Sequence, residues 1–347
     1  MTASGSPRTV ASREIRLAAR PQGWPRPEDF ELATRTLEWP REGEVLVTNR
    51  FMSVDPYMRG RMDARRSYAP PYEIGEPLYG GALGEVVAAH AEGLAPGDLV
   101  RSELGWREAF VAPARAVQRV DPPPGVPEAH LLGALGMPGL TAWVGLTDIA
   151  SLRAGETVFV SAAAGAVGSV AGQLARERGC IVIGSAGTPE KVAYVREELG
   201  FHHAFSYRDE DPAEALAAAA PDGIDVYFDN VGGAQLEAAL GAMRLHGRIV
   251  LCGAVAHYND TEPAPGPRNL FRAVTQRLTL RGFIVRDHRD REAAFRAELD
   301  PLVAAGRLEL PQAMVDGIER APQALVDMLR GEHVGKVVVR LPGTSAR

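Results

Sequence analysis

Sulfur ligands are scarce in this 347-residue sequence. It holds two cysteines, Cys180 and Cys252, each inside an apolar, strand-like run, CIVIG and RIVLCG. Neither has a histidine at ligand spacing, and two such thiols cannot build a four-thiolate zinc site, so each is read as a small buried hydrophobe. The pairs His202-His203 and Asp287-His288 do not make good the deficit, because neighbours along a strand point to opposite faces; both are read as solvated surface. No apolar run reaches the roughly 18 residues of a membrane span. The opening MTASGSPRTVAS lacks the apolar core of a signal peptide; it is read as an irregular start, and a cytoplasmic location is expected. Excess positive charge is missing too: the net charge is -6, which offers nucleic acid or an anionic membrane no counter-charge. What remains is an ordinary globular composition, 46% hydrophobic and 24% charged, in a chain long enough for two domains.

The texture of the chain changes once. From residue 13 to about 130, short β-type runs (EVLVTNRFMSV, ALGEVVAAH, DLVRSE, REAFVAP, AVQRV) are broken by turns rich in proline and glycine. That pattern predicts a compact antiparallel, barrel-like domain, followed by the stiff connector DPPPGVP at 121–127. From His130 onward Val/Ile-rich strands alternate with helical stretches, which predicts a doubly wound parallel sheet with helices on both faces, an α/β fold. GKVVVRL near the end reads as a strand returning to the first domain. The run RDHRDREAAFRAELD, 286–300, reads as an exposed helix laced with ion pairs.

The stretch VFVSAAAGAVGSVAGQLARERGCIVIGSAGTPEKV, 158–192, reads as strand, tight turn, helix and second strand. Set against G-x-G-x-x-G, it places Ala163, Gly165 and Gly168 at the three glycine positions. Gly165 lets the backbone approach a pyrophosphate, Gly168 lets the helix pack close to the strand, and the helix N-terminus offers its N–H groups to phosphate. An acid about 20 residues on would select NAD. Here that place holds the small, neutral Ser185-Ala186-Gly187-Thr188, with Lys191 one turn later. A carboxylate would repel a 2′-phosphate, whereas small hydroxyls and an ammonium attract it; NADPH is the expected cofactor. Two further strands end in IDVYFDNVGG, 224–233, and RIVLCGAVAHY, 248–258. Ligands of parallel sheets bind at strand carboxyl ends, so Tyr258 is a site candidate, against the alternative of a packing aromatic.

Together these residues resemble the medium-chain dehydrogenase/reductase superfamily, in its zinc-independent branch of leukotriene B4 12-hydroxydehydrogenase, prostaglandin reductases and alkenal double-bond reductases. The resemblance covers nearly the whole chain and rests on NRFMSVDPYMRGRM (49–62), LGMPGLTAWVGL (135–146), AAAGAVGSVAGQLA (162–175), YFDNVGG (227–233), CGAVAHYN (252–259) and GKVVV (335–339). It implies a GroES-like catalytic domain, residues 1–133 and 312–347, and a Rossmann NADP-binding domain, residues 134–311. It implies NADPH-dependent reduction of the carbon–carbon double bond of α,β-unsaturated ketones and aldehydes. By the family pattern, Gly165, Ala166, Val167 and Gly168 line the pyrophosphate, and Lys191 and Tyr207 hold the 2′-phosphate. Asn230, Cys252, Gly253, Tyr258, Phe283, Ile284 and Val285 surround the ribose and nicotinamide. The sequence departs from the pattern in having His333 where the family has Asn before GK, and in the details of the loop TEPAPGPRNL, 261–270.

Zinc-dependent cousins need a Cys ligand in the first domain and a His-Glu pair after it; GGALGEV, 80–86, stands in that place and the first domain has no cysteine. With no metal ligands in the sequence to polarise an alkoxide, enone reduction is the easier chemistry, since charge spreads to the carbonyl oxygen. Tyr258, with the cofactor ribose, is expected to stabilise that enolate, and Tyr258 or solvent to protonate the α-carbon. Tyr57 is a candidate for the substrate pocket, while Asp55 and Arg59 are read as a structural pair. Quinone reduction on the same fold and a non-catalytic NADPH-binding role remain open alternatives. LTLRGFIV, 278–285, reads as an apolar edge strand whose pairing about a two-fold axis would make a homodimer, as the resemblance also implies.

Overall fold

The computed structural model describes residues 8–65 and 67–342. Of the expected irregular start, residues 1–7 lie outside the described residues, as do 343–347 at the other end. Residues 9–12 correct that reading: they begin strand β1, Thr9–Leu17, which pairs antiparallel with β2, Phe30–Glu38. The strand is selected by burial of Ile15 and Leu17, which join the first core.

By packing, the described chain divides into two units, one of residues up to Leu132 with Ala313–Glu332 and Val337 onward, the other of Gly133–Gln312 with His333–Lys336. The first contains β3 (Glu44–Ser53), the short helix α1 (Tyr57–Arg61), β4 (Ala82–Ala89), β5 (Leu99–Ser102), β6 (Ala109–Pro113) and β7 (Val117–Arg119). Strand β3 is its spine, pairing antiparallel with β4 on one side and β6 on the other. Val45, Val47, Val86, Val100 and Phe110 close over one face, and Ile15, Met52, Met58, Trp106 and Val339 meet in a second cluster.

The second unit runs through α2 (Met137–Val144), β8 (Thr157–Val160), α3 (Gly168–Glu177), β9 (Ile181–Ala186), α4 (Pro189–Glu197), β10 (His203–Ser206) and α5 (Pro212–Ala219). It continues through β11 (Ile224–Asp229), α6 (Gly233–Ala242), β12 (Met243–Leu251), α7 (Arg272–Thr275), β13 (Thr279–Gly282) and α8 (Glu292–Ala304). Its sheet has strand order β10-β9-β8-β11-β12-β13, every pair parallel, which is the doubly wound dinucleotide-binding order. Both faces of the central strands are covered: β8 is buried throughout, and Phe159 stacks on Tyr227 at 4.8 Å. The order reverses between β8 and β11, and there the carboxyl ends of two adjacent strands open a crevice.

Strand β14 (Gln312–Asp316), helix α9 (Ala321–Leu329) and β15 (Lys336–Arg340) follow, and β15 returns to β3 with Val338 opposite Ser53. Run 286–300 differs from its expectation. It is a 3-10 stretch kinked at His288 followed by α8, and Phe295 and Leu299 are buried. His288 is likewise half-buried, its ring edge-on to Phe283 at 6.1 Å. No helix among the described residues is long and apolar enough to cross a membrane.

Candidate active site

The turn from β8 into α3 is built by backbone. Ala162 takes a left-handed φ of 50°, and the chain folds back so that Gly165 N–H donates to Ala162 O at 2.9 Å. A Cβ on Gly168 would stand 2.3 Å from that same oxygen and 2.9 Å from Ala163 Cα. Gly168 is therefore required by the turn itself, more directly than by helix–strand packing. No side chain caps α3, and Gly165, Ala166 and Val167 are part-exposed at its mouth. A bare helix N-terminus behind a loop that a single Cβ would fill fits a pyrophosphate.

A third strand of chain closes this loop, and sequence reasoning missed it. Gly335 N–H donates to Ala164 O at 2.7 Å, and Gly165 and Gly335 form an isolated parallel bridge. The sequence signal was present in GK of EHVGK, but that stretch reads locally as nothing more than the start of β15.

Lys191 and Tyr207 follow the carboxyl ends of the adjacent strands β9 and β10. A Cβ on Gly187 would lie 3.0 Å from the Tyr207 hydroxyl, which places Tyr207 over the loop that leads to α4. Lys191, in the first turn of α4, donates from Nζ to His333 O at 2.6 Å. The Arg208 guanidinium stands 5.8 Å from the Tyr207 ring centroid; this second cation went unread because it sits among the charges of a polar turn. The hydroxyl reading needs correction. Ser185 is fully buried, its hydroxyl donating to Gln235 Oε1 at 2.5 Å, and the Thr188 hydroxyl caps α4 by accepting Lys191 N–H at 3.3 Å. The neutral stretch supplies room and a helix cap, and the positive charge comes from Lys191 and Arg208. The His333 carbonyl thus belongs to this end, while its ring Nε2 is buried without a hydrogen-bond partner.

At the switch point the loops after β8, β11 and β12 interlock. Asn230 N–H donates to Ser161 Oγ at 2.9 Å and Asn230 Nδ2 to Ser161 O at 2.8 Å. Asp229 Oδ1 accepts from the Tyr227 hydroxyl at 2.7 Å, Val231 N–H at 2.9 Å and Gly232 N–H at 2.8 Å. Its main-chain oxygen accepts from Cys252 N–H at 2.9 Å and Gly253 N–H at 3.0 Å, and Ala256 N–H donates to Val231 O at 3.1 Å. The 252–256 loop is thereby laid across 229–231. Tyr258 follows a short 3-10 turn, Val255–His257, with its hydroxyl 3.5 Å from the Cβ position of Gly253. Gly232 adopts φ 73°, ψ −151°, a region open to glycine. Burial pushes the Asp229 carboxyl up from its ordinary pKa, against the pull of its donors. Burial and the Asp229 charge push the Cys252 thiol up to about 12. Cys252 itself is half-buried just beyond β12, not within a strand as the sequence reading had it, whereas Cys180 is buried. Phe283, Ile284 and Val285 follow β13, on the same carboxyl edge of the sheet.

Tyr57 opens α1 in the first unit and packs against its core; burial and the nearby Asp55 carboxylate hold its phenol well above the usual pKa. Arg59 pairs with Asp63 at 2.8 Å and binds Gly23 O, while Asp55 accepts from the Ser53 hydroxyl. Among the described residues, no group of three or more His, Cys, Asp or Glu side chains could hold a metal ion.

Two family profiles match: residues 13–120 match one described as the N-terminal domain of oxidoreductase, and 166–300 one described as zinc-binding dehydrogenase. The chain is 40% identical over 332 residues to the NADPH-dependent curcumin reductase of Escherichia coli, covering 94% of this chain and 96% of that one. It is 39% identical over 336 residues to the NADP-dependent 2-alkenal reductase of Nicotiana tabacum, covering 95% and 97%. The crystal structure of CurA from Vibrio vulnificus in complex with NADPH superposes with a TM-score of 0.90 at 36% identity, over 95% of this chain and 99% of that one.

Proposed function

The chain belongs to the zinc-independent branch of the medium-chain dehydrogenase/reductase superfamily, that of prostaglandin and alkenal reductases, and from that premise we propose that it is an NADPH-dependent reductase of the carbon–carbon double bond of α,β-unsaturated ketones and aldehydes. The observation that carries the reading is the interlock of 229–231 with 252–256, which sets the Tyr258 hydroxyl beside Gly253 at the switch point.

Gly165, Ala166, Val167 and Gly168 hold the pyrophosphate, and Lys191, Tyr207 and Arg208 the 2′-phosphate. Asn230, Cys252, Gly253 and Phe283–Val285 line the ribose and nicotinamide end, with His333 between the two phosphate sites. When bound, NADPH supplies a hydride to the β-carbon of the substrate. Tyr258 is the catalytic residue: its hydroxyl donates to the carbonyl oxygen on which negative charge accumulates, and it or solvent returns a proton to the α-carbon. Tyr57 contributes a phenol to the substrate side. Residues 1–133 with 312–347 serve as the catalytic domain and 134–311 as the cofactor domain, in a cytoplasmic enzyme.

Strand β13 is an edge of its sheet with Thr279 and Arg281 exposed, and Phe271 and Val274 just before it are 72% and 66% exposed. Such an edge is stable when paired, and a second copy of this chain about a two-fold axis supplies the partner. Light scattering on a sizing column should return a dimer; a monomer at micromolar concentration overturns that part.

The activity test is NADPH loss with an enone, its saturated ketone and a quinone, each repeated with NADH. Rapid oxidation with the enone and NADPH alone is the expected result. Activity with the quinone only would move the substrate class, and oxidation by no acceptor would leave a cofactor-binding protein.

A further inference from the structure

Asp229 is a buried carboxylate with no counter-ion. It is 1% exposed, and among the described residues no lysine, arginine or histidine forms an ion pair with it. Its neighbours are dipoles: the Tyr227 and Ser161 hydroxyls and the N–H groups of Val231 and Gly232 all converge on Oδ1. Backbone N–H groups can only donate, and Tyr227, buried and beside this charge, keeps its proton far above the ordinary phenol range. Four donors aimed at one oxygen favour the ionised carboxyl, opposing the burial that raises its pKa. If the residue only tied loops together, an asparagine would do so, since its single carbonyl oxygen can face the same donors. A neutral amide would also avoid the desolvation cost of an unpaired buried charge.

The charge also has a particular place. Asp229 is the last residue of β11, at the switch point, directly before Asn230. Its own carbonyl holds Cys252 and Gly253, the start of the loop that carries Tyr258. Among the described residues no other carboxylate is built into that interlock, and low-dielectric surroundings let a charge act over several ångströms.

We propose that Asp229 biases the redox balance of the bound dinucleotide: its buried charge favours the cationic ring of NADP+ over the neutral ring of NADPH, making the bound cofactor a stronger reductant. This rests on the placement of the nicotinamide end given above. Asp229 is a positioning residue in this scheme, acting through the field and through the two loops it ties, and it touches no substrate.

The test is equilibrium binding at pH 8, with NADPH followed by its own fluorescence and NADP+ by calorimetry, in the wild type and in Asp229→Asn. The affinity for NADP+ should fall relative to that for NADPH by on the order of tenfold or more, as one charge within about 12 Å gives at an effective dielectric near 20. Equal loss of both forms, or no change, would mean a purely structural clamp and overturns the proposal. Should Asp229→Asn fail to fold, Tyr227→Phe decides. Removing one donor leaves the carboxylate less neutralised, so preference for NADP+ should rise; an unchanged ratio sinks the idea. If the wild type binds neither form, the dinucleotide reading itself falls, and that outcome is distinct from an unaltered ratio in a wild type that binds both.

Discussion

The carboxyl edge of the second unit has two halves of different construction. At the proposed phosphate end the groups are backbone and a few long cations: the Ala162–Gly168 turn, the uncapped start of α3, Lys191 and Arg208. At the proposed nicotinamide end the groups are held by buried hydrogen bonds between segments distant in sequence, with Ser161, Asp229 and Gly253 drawn from the ends of three strands. Phosphate is a charged, nearly spherical target that tolerates small displacements, so a local turn and a helix end suffice. A flat ring that must face a reacting carbon tolerates little displacement, and the end proposed for it is cross-braced.

That contrast can be broken from either side. The largest effect is expected at the turn: Gly168→Ala forces a Cβ against the Ala162 backbone, costs about 3 kcal/mol and should weaken NADPH about a hundredfold. Calorimetric titration checks it, and near-normal binding would show that the turn relaxes. Next comes Tyr258→Phe, with kcat expected to fall on the order of a hundredfold while the NADPH Kd stays within about twofold; an unchanged kcat removes Tyr258 from the chemistry.

Lys191→Met comes third. NADPH preference over NADH should drop about tenfold, as for loss of one charge-assisted hydrogen bond. The chain offers a second readout here, because Lys191 and Lys336 are its only lysines and Lys336 is 2% exposed. Acetylation at Lys191, followed by mass spectrometry, should be blocked by NADP+ and not by NAD+; equal blocking would place the 2′-phosphate elsewhere. The smallest effect belongs to Ser185→Ala. With its hydroxyl given to Gln235, the cofactor preference should stay within about twofold while Tm drops by roughly 2 °C. A collapse of NADPH preference would restore the hydroxyl reading.

The same division explains what the sequence disclosed. Strand–turn–helix periodicity and the glycine spacing are contiguous signals, so the doubly wound sheet and the tight turn from β8 into α3 could both be read from the sequence. Asp229 could not be singled out, because in YFDNVGG it is one polar residue after a strand, and its donors become visible only when β8, β11 and β12 lie side by side. Gly335 escaped for the same reason: its partner, Ala164, is far away along the chain. Ser185 was misread because its Gln235 partner lies in another helix, and the extent of β1 was hidden by the small polar residues of its first half.

The bridge between Gly165 and Gly335 has a bearing on the order of events during synthesis. The chain emerges from the ribosome N-terminus first, so the glycine turn is made and exposed long before the segment that completes it. A nascent chain carrying every strand of the parallel sheet still lacks the His333 carbonyl for Lys191 and the Gly335 amide for Ala164. The turn and Lys191 therefore gain these two partners only once the segment 333–335 has been released and folds back onto them.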